Sequence, residues 1–436
     1  MSTATTAPLA FDPYDYAFHE DPYPLYARLR AEAPLFHATP DDLWVVSRHA
    51  DVFAVLRDDA TYSNRMGVSL DASAWNVEAH RVMSFLALDG HEQTRLRKLV
   101  SKGFTPRRVR ELEPEVQRLA DYYFDAMLTA GSGTGESGTT VTADWITEFA
   151  GKLPMDVISE MMGVPVADRD EVRRLADLVV HREDGVRDVP EAGMVAAMDL
   201  IGYYGAMVAE RRAAPDDHEG DLTTALVQAE IEGDRLTDSE IIAFLFLMVV
   251  AGNETTTKLL GNALFHLSAH PEQRDRVLAA PEAPEALVTP WIEETLRFDT
   301  SSQMLARLVT RDVELHGQTI PAGAKLLVLL GSANRDAEVF SDPARFDIAR
   351  ASDELSKSLS FGTGRHFCLG ANLARLEARV VLNELVRRVS GFQVHVDRAV
   401  RVHSTSVRGF AHLPTTFTLR TPNPNASTYT DTGAAR

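Results

Sequence analysis

Cys368 is the one cysteine in 436 residues, and it stands in FGTGRHFCLG (361–370) with glycines at 362, 364 and 370. The helical pattern of ANLARLEARVVLNEL begins directly after it. Backbone N–H groups and the dipole at a helix start favour the thiolate of such a cysteine. A thiolate is a strong metal ligand, but one without cysteine partners does not suit structural zinc. It does suit the axial position of a haem iron, with the glycines letting backbone approach a bulky group and adopt positive φ. Taken alone, a lone cysteine is better read as a small buried hydrophobe, a preference that the flanking glycines and His366 reverse. A nucleophile would need a partner base that the glycine loop does not supply.

A second constellation interrupts an apolar helix. LTDSEIIAFLFLMVVAGNETTTKLLGNALFHLSAHP reads as one long helix, with Thr237 and Glu240 at capping-box spacing and Pro271 where it should stop. Such a helix spans about 48 Å, enough to cross a domain. The run Ile241–Val250 is apolar all round, too short for a membrane span, and belongs in a core. Gly252, Asn253, Glu254 and Thr255 then follow. A carboxylate inside a buried helix is costly unless partnered, and a threonine there can bond the carbonyl four residues back, Ala251, bending or opening the ladder. Either a group sits against this break or it is a wet kink in a core helix.

The elements that must position these residues are mostly helical. YPLYARLRAEA, EPEVQRLADYYFDAML and RLEARVVLNELVRRV carry apolar residues at three- and four-residue spacing. Strand-like runs are fewer: LWVVSR near 45, ARLVTRDVEL near 310, AKLLVLL near 327 and TTFTLR near 417, with turn chemistry in IPAG (320–323). The expected fold class is mainly α with small β-sheets. LTAGSGTGESGTTVTADW (128–145) is the most linker-like stretch and short enough for a surface loop. No repeat is present. One domain over 11–420 is expected, with a disordered start (1–10) and a flexible polar tail (421–436).

Composition narrows the partners. A formal charge of −19 argues against nucleic acid. RLRKLVSKGFTPRRVR (95–110) is the exception, with seven basic residues and no acid. One cysteine excludes an internal disulfide and fits a reducing, cytoplasmic setting; the first ten residues read as neither secretory signal nor membrane anchor.

The cysteine loop resembles the haem-binding signature of the cytochrome P450 family, Phe-x-x-Gly-x-(Arg/His)-x-Cys-x-Gly, at Phe361, Gly364, His366, Cys368 and Gly370. AGNET (251–255) resembles the family's oxygen-binding helix motif, and EETLR supplies its Glu-x-x-Arg pair at Glu294 and Arg297. ANRDAEVFSDPARFDIAR is similar to the segment that precedes the loop, and DPYPLYARLRAEAP to the N-terminal helix of bacterial members. Motifs in the family's order run from about residue 12 to 420.

The resemblance implies a P450 fold, with the long helix lying over haem b (iron protoporphyrin IX). It makes Cys368 the metal ligand and Glu254 with Thr255 the acid–alcohol pair that delivers protons for dioxygen activation. Phe361, Ala251 and Gly370 would lie against the haem. The propionates would be held by His366, Arg307 and Arg97, with Gln93 standing where the family usually has histidine; His91 is the alternative. Glu294 and Arg297 would form a structural network with Arg350 or Arg345. Phe85, Leu247, Gln303, Met304, Leu305 and Phe410 would line an apolar substrate pocket, with Trp75, His80 and Gln303 able to orient a polar group.

The implied activity is an O2-dependent monooxygenase hydroxylating or epoxidising a lipophilic small molecule such as a steroid, terpenoid, fatty acid or macrolide precursor. Electrons would come from a ferredoxin and its reductase, docking near Arg95–Arg110. Alternatives are a haem-thiolate binding or sensor protein without turnover, or peroxide-driven oxidation or C–C coupling on the same scaffold.

Overall fold

The computed structural model describes residues 8–39, 41–133, 140–183, 187–214 and 220–420. The expectations for 1–7, for 421–436 and for part of the linker-like stretch (134–139) lie outside the described residues. Helices of ten or more residues are α1 (Tyr23–Glu32), α2 (Gly90–Val100), α3 (Glu113–Ala130), α4 (Leu153–Met162), α5 (Arg169–Val180), α6 (Glu191–Ala213), α7 (Asp238–Ser268), α8 (Glu285–Phe298) and α9 (Ala371–Arg388). The small sheets use β1 (Leu35–Ala38), β2 (Leu43–Val46), β3 (Tyr62–Ser63), β4 (Ser132–Gly133), β5 (Thr140–Asp144), β6 (Met304–Val309), β7 (Lys325–Leu329), β8 (Val389–Val394) and β9 (Pro414–Leu419).

One sheet has the order β1-β2-β7-β6-β3, antiparallel except where β7 runs parallel to β2. A second has the order β8-β9-β5-β4, and three two-stranded sheets are also present. The stretch read as linker-like therefore contributes two strands. Its small β-branched residues Thr140, Val141 and Thr142 pair with Thr418, Phe417 and Thr416 of β9, a fit to a pleated surface that turn composition had masked.

Helix α7 is the central element. Thr237 and Glu240 form the expected capping box, and the helix ends at Ser268, three residues before Pro271. The expected interruption at 251–255 leaves the helix continuous. The back-bond itself is present, Thr255 Oγ1 donating to the Ala251 carbonyl at 2.8 Å. Two fully buried indoles flank α7: Trp145 donates to the Leu260 carbonyl at 3.2 Å and Trp291 to the Ala263 carbonyl at 3.1 Å. Each buries a large ring while satisfying its N–H. By length and composition α6 and α7 could each cross a membrane. The apolar residues of α7 are spent on the core instead, whereas α6 leaves Met194, Val195 and Met198 exposed.

Helix α8 is held by a buried ion triad. Glu294 and Arg297 are 0% exposed and form a bidentate pair at 2.7 and 2.8 Å. Arg350, not Arg345, supplies the third charge, its Nε lying 3.0 Å from Glu294. Arg345 contributes its carbonyl, which accepts from Arg297 at 3.1 Å. Removing one member of a buried ion pair typically costs about 3–5 kcal/mol. Glu294→Leu strands two guanidiniums, so denaturant unfolding should show a loss of about that size, whereas Arg350→Met, which leaves the bidentate pair intact, should lose less.

Candidate active site

The thiol loop is shaped by backbone bonds. Cys368 N–H donates to the Phe361 carbonyl at 2.9 Å and Gly362 N–H to Leu359 at 2.8 Å. Gly362 and Gly364 take φ of +66° and +70°, and a Cβ on Gly364 would come 3.0 Å from the Leu56 carbonyl oxygen. These two positions require glycine. Gly370 does not share that reason: its φ is −82° and a Cβ there would meet nothing within 4 Å. It lines a cavity at the start of α9.

That cavity holds about 260 Å³ of water-accessible space between α7, the thiol loop and the residues from 296 to 307. Cys368 is exposed, but into this cavity, and protein encloses the sulfur. Burial raises its pKa, while the N–H groups of Gly370 and Ala371 and the guanidiniums of Arg97 and Arg375 act in the opposite sense. The helix start thus favours the thiolate as expected, yet burial outweighs it until a cation binds the sulfur. A coordinated metal deprotonates a thiol outright.

Three nitrogen-bearing side chains line the same cavity. Arg307 is 2% exposed, and no carboxylate among the described residues is in ion-pair contact with it. Its Nη1 donates to the Ala306 carbonyl at 2.8 Å, and burial pulls the guanidinium down to about 10 despite Asp89. Arg97 donates to the Phe367 carbonyl at 2.6 Å and lies 5.5 Å from the Phe85 ring centre, but its buried Nη1 has no partner. His366 has partners for neither ring nitrogen, and burial, followed by Arg307, drives it down to about 3. It is a neutral imidazole.

Buried guanidiniums and an unpartnered imidazole around an apolar chamber are a costly arrangement unless anionic groups meet them. A porphyrin brings two carboxylates and an iron for the sulfur. The donor set of Cys368, Arg97, Arg307 and His366 fits haem, and Phe361, Ala251 and Gly370 line the space with them.

Gln93 stands elsewhere. It is fully buried and its amide donates to the Arg365 carbonyl at 3.0 Å, tying α2 to the thiol loop outside the cavity lining. His91 is exposed on another face of α2. Neither lines the cavity.

On the α7 side, Thr255 and Thr256 line the cavity, whereas Glu254 points away and pairs with Lys258 at 3.0 Å. Phe85, Leu247 and Leu305 line the cavity as expected. Gln303, Met304 and Phe410 do not, and strand alternation explains Met304. Leu305 and Arg307 face the cavity, so Met304 and Ala306 point to the opposite side of β6, into the cluster around Tyr26 and Leu327. Gln303 is held by the Thr300 carbonyl at 2.7 Å and by Tyr26. Phe410 packs against Phe265 and the Arg401 guanidinium. Trp75 is covered by Lys325, 4.2 Å from its ring centre, and His80 is likewise outside the lining.

Phe104 and Ile158, which sequence reasoning missed, also line the cavity, as do Phe244 and Met248 of α7 and the hydroxyl-bearing Thr300, Ser301 and Ser302. Sequence reasoning also missed Glu377, which is 1% exposed, bonded to Thr256, and pushed by burial up to about 8. A signal existed: Glu377 falls on the apolar stripe of α9 with Leu373, Val380 and Val381.

The chain matches a known family over most of its length. The model of the family described as cytochrome P450 matches residues 191–281 and 286–420. Cytochrome P450 123 of Mycobacterium tuberculosis (strain ATCC 25618 / H37Rv) is 55% identical over 407 residues, 93% of this chain and 96% of that protein. The vitamin D(3) 25-hydroxylase of Pseudonocardia autotrophica is 36% identical over 422 residues, 95% and 98% of the two chains. The solved structure of cytochrome P450 CYP109Q5 from Chondromyces apiculatus superposes with a TM-score of 0.80 at 35% identity, covering 94% of this chain and 99% of that one.

The placement of Gln93 is testable. Gln93→Leu leaves the Arg365 carbonyl without its buried donor, a loss of about 1–3 kcal/mol. Denaturant unfolding should show that loss, and affinity for added haem should fall far less than in Arg307→Met.

Proposed function

This chain belongs to the cytochrome P450 family, and from that premise we propose that it inserts one atom of O2 into a lipophilic small molecule, by hydroxylation or epoxidation. One observation carries the reading: a single apolar cavity gathers the lone thiol, the unpartnered nitrogens of Arg97 and His366, the buried guanidinium of Arg307 and the hydroxyl of Thr255. Bound haem b supplies the redox chemistry, with the thiolate donating electron density that favours O–O cleavage.

The residues divide that work. Cys368 is the iron ligand, and Arg307, Arg97 and His366 hold the propionates. Phe85, Phe244, Leu247 and Leu305 exclude water from the chamber and favour an apolar substrate. Thr255 holds a hydroxyl at the cavity wall, where its proton can move once the Ala251 bond is released. Glu254, one residue away, supplies protons to it when its side chain turns from Lys258 toward the cavity. A secosteroid is the first substrate to try, because a relative similar over nearly its whole length is a vitamin D(3) hydroxylase.

Electrons enter from a ferredoxin and its reductase. The basic stretch 95–110 is less free than its composition suggests: Arg95 is paired with Asp234 and Glu240, Arg97 faces the cavity, and Arg107 and Arg108 share Glu111. Lys98, Lys102 and Arg110 make no ion pair among the described residues, and Arg110 lies at a surface hollow of about 360 Å³ that is also lined by Arg375 and Arg379, which pair with Glu293 and Glu113. We place the docking of an acidic partner there, steered by local positive charge on an acidic protein. A reducing cytoplasm keeps Cys368 available as a ligand.

The decisive measurement is the absorption spectrum of the reduced, carbon-monoxide-bound protein. A strongly red-shifted Soret band that is lost in Cys368→Ala is expected, and an imidazole-like band would overturn the ligand assignment. Thr255→Ala should keep that band while product formed per electron pair falls about tenfold or more, the missing electrons appearing as hydrogen peroxide.

A further inference from the structure

Helix α6 carries a face that the rest of the described chain leaves uncovered. Its inner side, with Ala196, Leu200, Tyr204 and Met207, is buried against α5 and α7. On the outer side Val195 and Met198 are 56% and 67% exposed, and Gly202, Ala206 and Ala209 are exposed with them. At 3.6 residues per turn these five fall within about 80° of arc. The chain is 25% charged, yet between Glu191 and Arg212 no charged residue of α6 lies inside that arc. The strip is about 32 Å long.

Gly202 adds an independent observation. Glycine in a helix interior is unfavourable relative to alanine. At other helical glycines the fold itself accounts for the choice. A Cβ on Gly193 would come 2.7 Å from the Leu178 carbonyl oxygen, and one on Gly261 2.9 Å from Ile146. A Cβ on Gly202 would meet nothing within 4 Å. Its bare backbone therefore serves a close approach from outside the chain.

The strip is complementary to itself. Its larger side chains stand in the first half of α6 and its small residues in the second. Turned antiparallel about a two-fold axis at Gly202, a second α6 sets Met198 against Ala206 and Val195 against Ala209, twice over. Val195 and Met198 are three residues apart, as are Ala206 and Ala209; Met198, Gly202 and Ala206 are four apart. Rows of these two kinds interlock at a shallow crossing of about 20°. A shallow crossing keeps the ends together. Glu191, which makes no ion pair among the described residues, then meets Arg212 of the second copy, itself bonded to Asp238. A lipid surface would use the apolar side chains but not the glycine notch, and a net charge of −19 disfavours an anionic bilayer.

We propose that the outer face of α6 is a homodimer interface, occupied by α6 of a second copy of this chain packed antiparallel across Gly202. A contact made by one pair of helices falls below the roughly 1,200 Å² of a standard interface, so the association is reversible and depends on concentration.

Sedimentation velocity of the full-length, haem-loaded protein from about 1 μM to about 1 mM should show the mass rise from one chain to two. Met198→Lys, a change at a largely exposed site, should raise the dissociation constant about tenfold or more. Gly202→Leu separates interface from fold. It should weaken the dimer as much, yet raise the melting temperature of the dilute monomer, because leucine has room there and the better helix propensity. Cross-linking reads the register. Under mild oxidation Gly202→Cys should form a disulfide-linked dimer, whereas Val195→Cys, whose two copies lie about 21 Å apart along the paired helices, should not.

A one-chain mass across the whole range, or a dimer unchanged in both Met198→Lys and Gly202→Leu, overturns the proposal. Cross-linking through Val195→Cys in place of Gly202→Cys overturns the antiparallel arrangement. Flotation of a monomeric parent with phosphatidylcholine vesicles, lost in Met198→Lys, overturns it in favour of a lipid surface.

Discussion

The buried carboxylate of Glu294 is the interaction on which the site depends. Taking it fully out of water is tolerable because every acceptor position is used. Oε1 accepts from Arg297 Nη2 at 2.7 Å and from the Asp347 N–H at 2.9 Å; Oε2 accepts from Arg297 Nε at 2.8 Å and Arg350 Nε at 3.0 Å. Arg297 in turn spends its remaining donors on the carbonyls of Asn334, Pro343 and Arg345. The chain of contacts then leads to the thiol. Asn334 donates to Ser360 Oγ at 2.8 Å and accepts from the Leu359 N–H at 2.7 Å, while Ser360 Oγ donates to the Leu296 carbonyl of α8. Phe361 follows, and its carbonyl receives the Cys368 N–H. A continuous run of hydrogen bonds therefore ties the ion triad to the loop that carries the sulfur.

The same helix sets the opposite wall of the cavity. Asp299 follows the last residue of α8 and is 1% exposed. It accepts from Tyr23 at 2.6 Å, from Arg408 at 2.8 Å and from the His266 ring at 2.8 Å, and burial is overcome by Arg408 and His266 so that its carboxyl is held well below the usual range. Its carbonyl receives Asn262 of α7 at 2.9 Å. Next along the chain come Thr300, Ser301 and Ser302, which line the cavity, and Ser301 Oγ donates to the Thr255 carbonyl at 2.8 Å. Through Glu294 and the Asp299 that caps it, five residues apart, α8 ties both the thiol loop and the α7 wall to one element. Preorganisation of this kind is what keeps a reacting centre within small tolerances.

Legibility in the sequence followed the range of the physics involved. The capping box of α7, the stop before Pro271, the back-bond of Thr255 and the positive φ of Gly362 and Gly364 are local, and all were readable from residue type and spacing. The thiol loop and the family's motifs carried the fold class, because that order of motifs is specific even without contacts. What failed was decided across the chain. Met304 and Leu305 are adjacent and both apolar, so only the register of β6 against β7 shows which one meets the cavity. Gln93 is polar and near a basic run, yet a single backbone carbonyl claims it. The strand at 140–144 lay in small polar residues whose partner is nearly 280 residues away.

Charge placement shows the same division between composition and geometry. The protein carries a net charge of −19, but its cavity is lined by Arg97, Arg307 and a neutral His366, and acids are kept out except for Glu377, which burial pushes to about 8. At neutral pH that carboxyl is a protonated donor and acceptor rather than a charge, so it does not compete with a ligand's anionic groups for the arginines. The buried carboxylates of Glu294 and Asp299, each paired with an arginine, stay out of the cavity lining. Negative charge thus dominates the surface, is neutralised in the core by arginines, and is absent at the sulfur's side of the cavity. There a thiolate and two propionates would otherwise face repulsion.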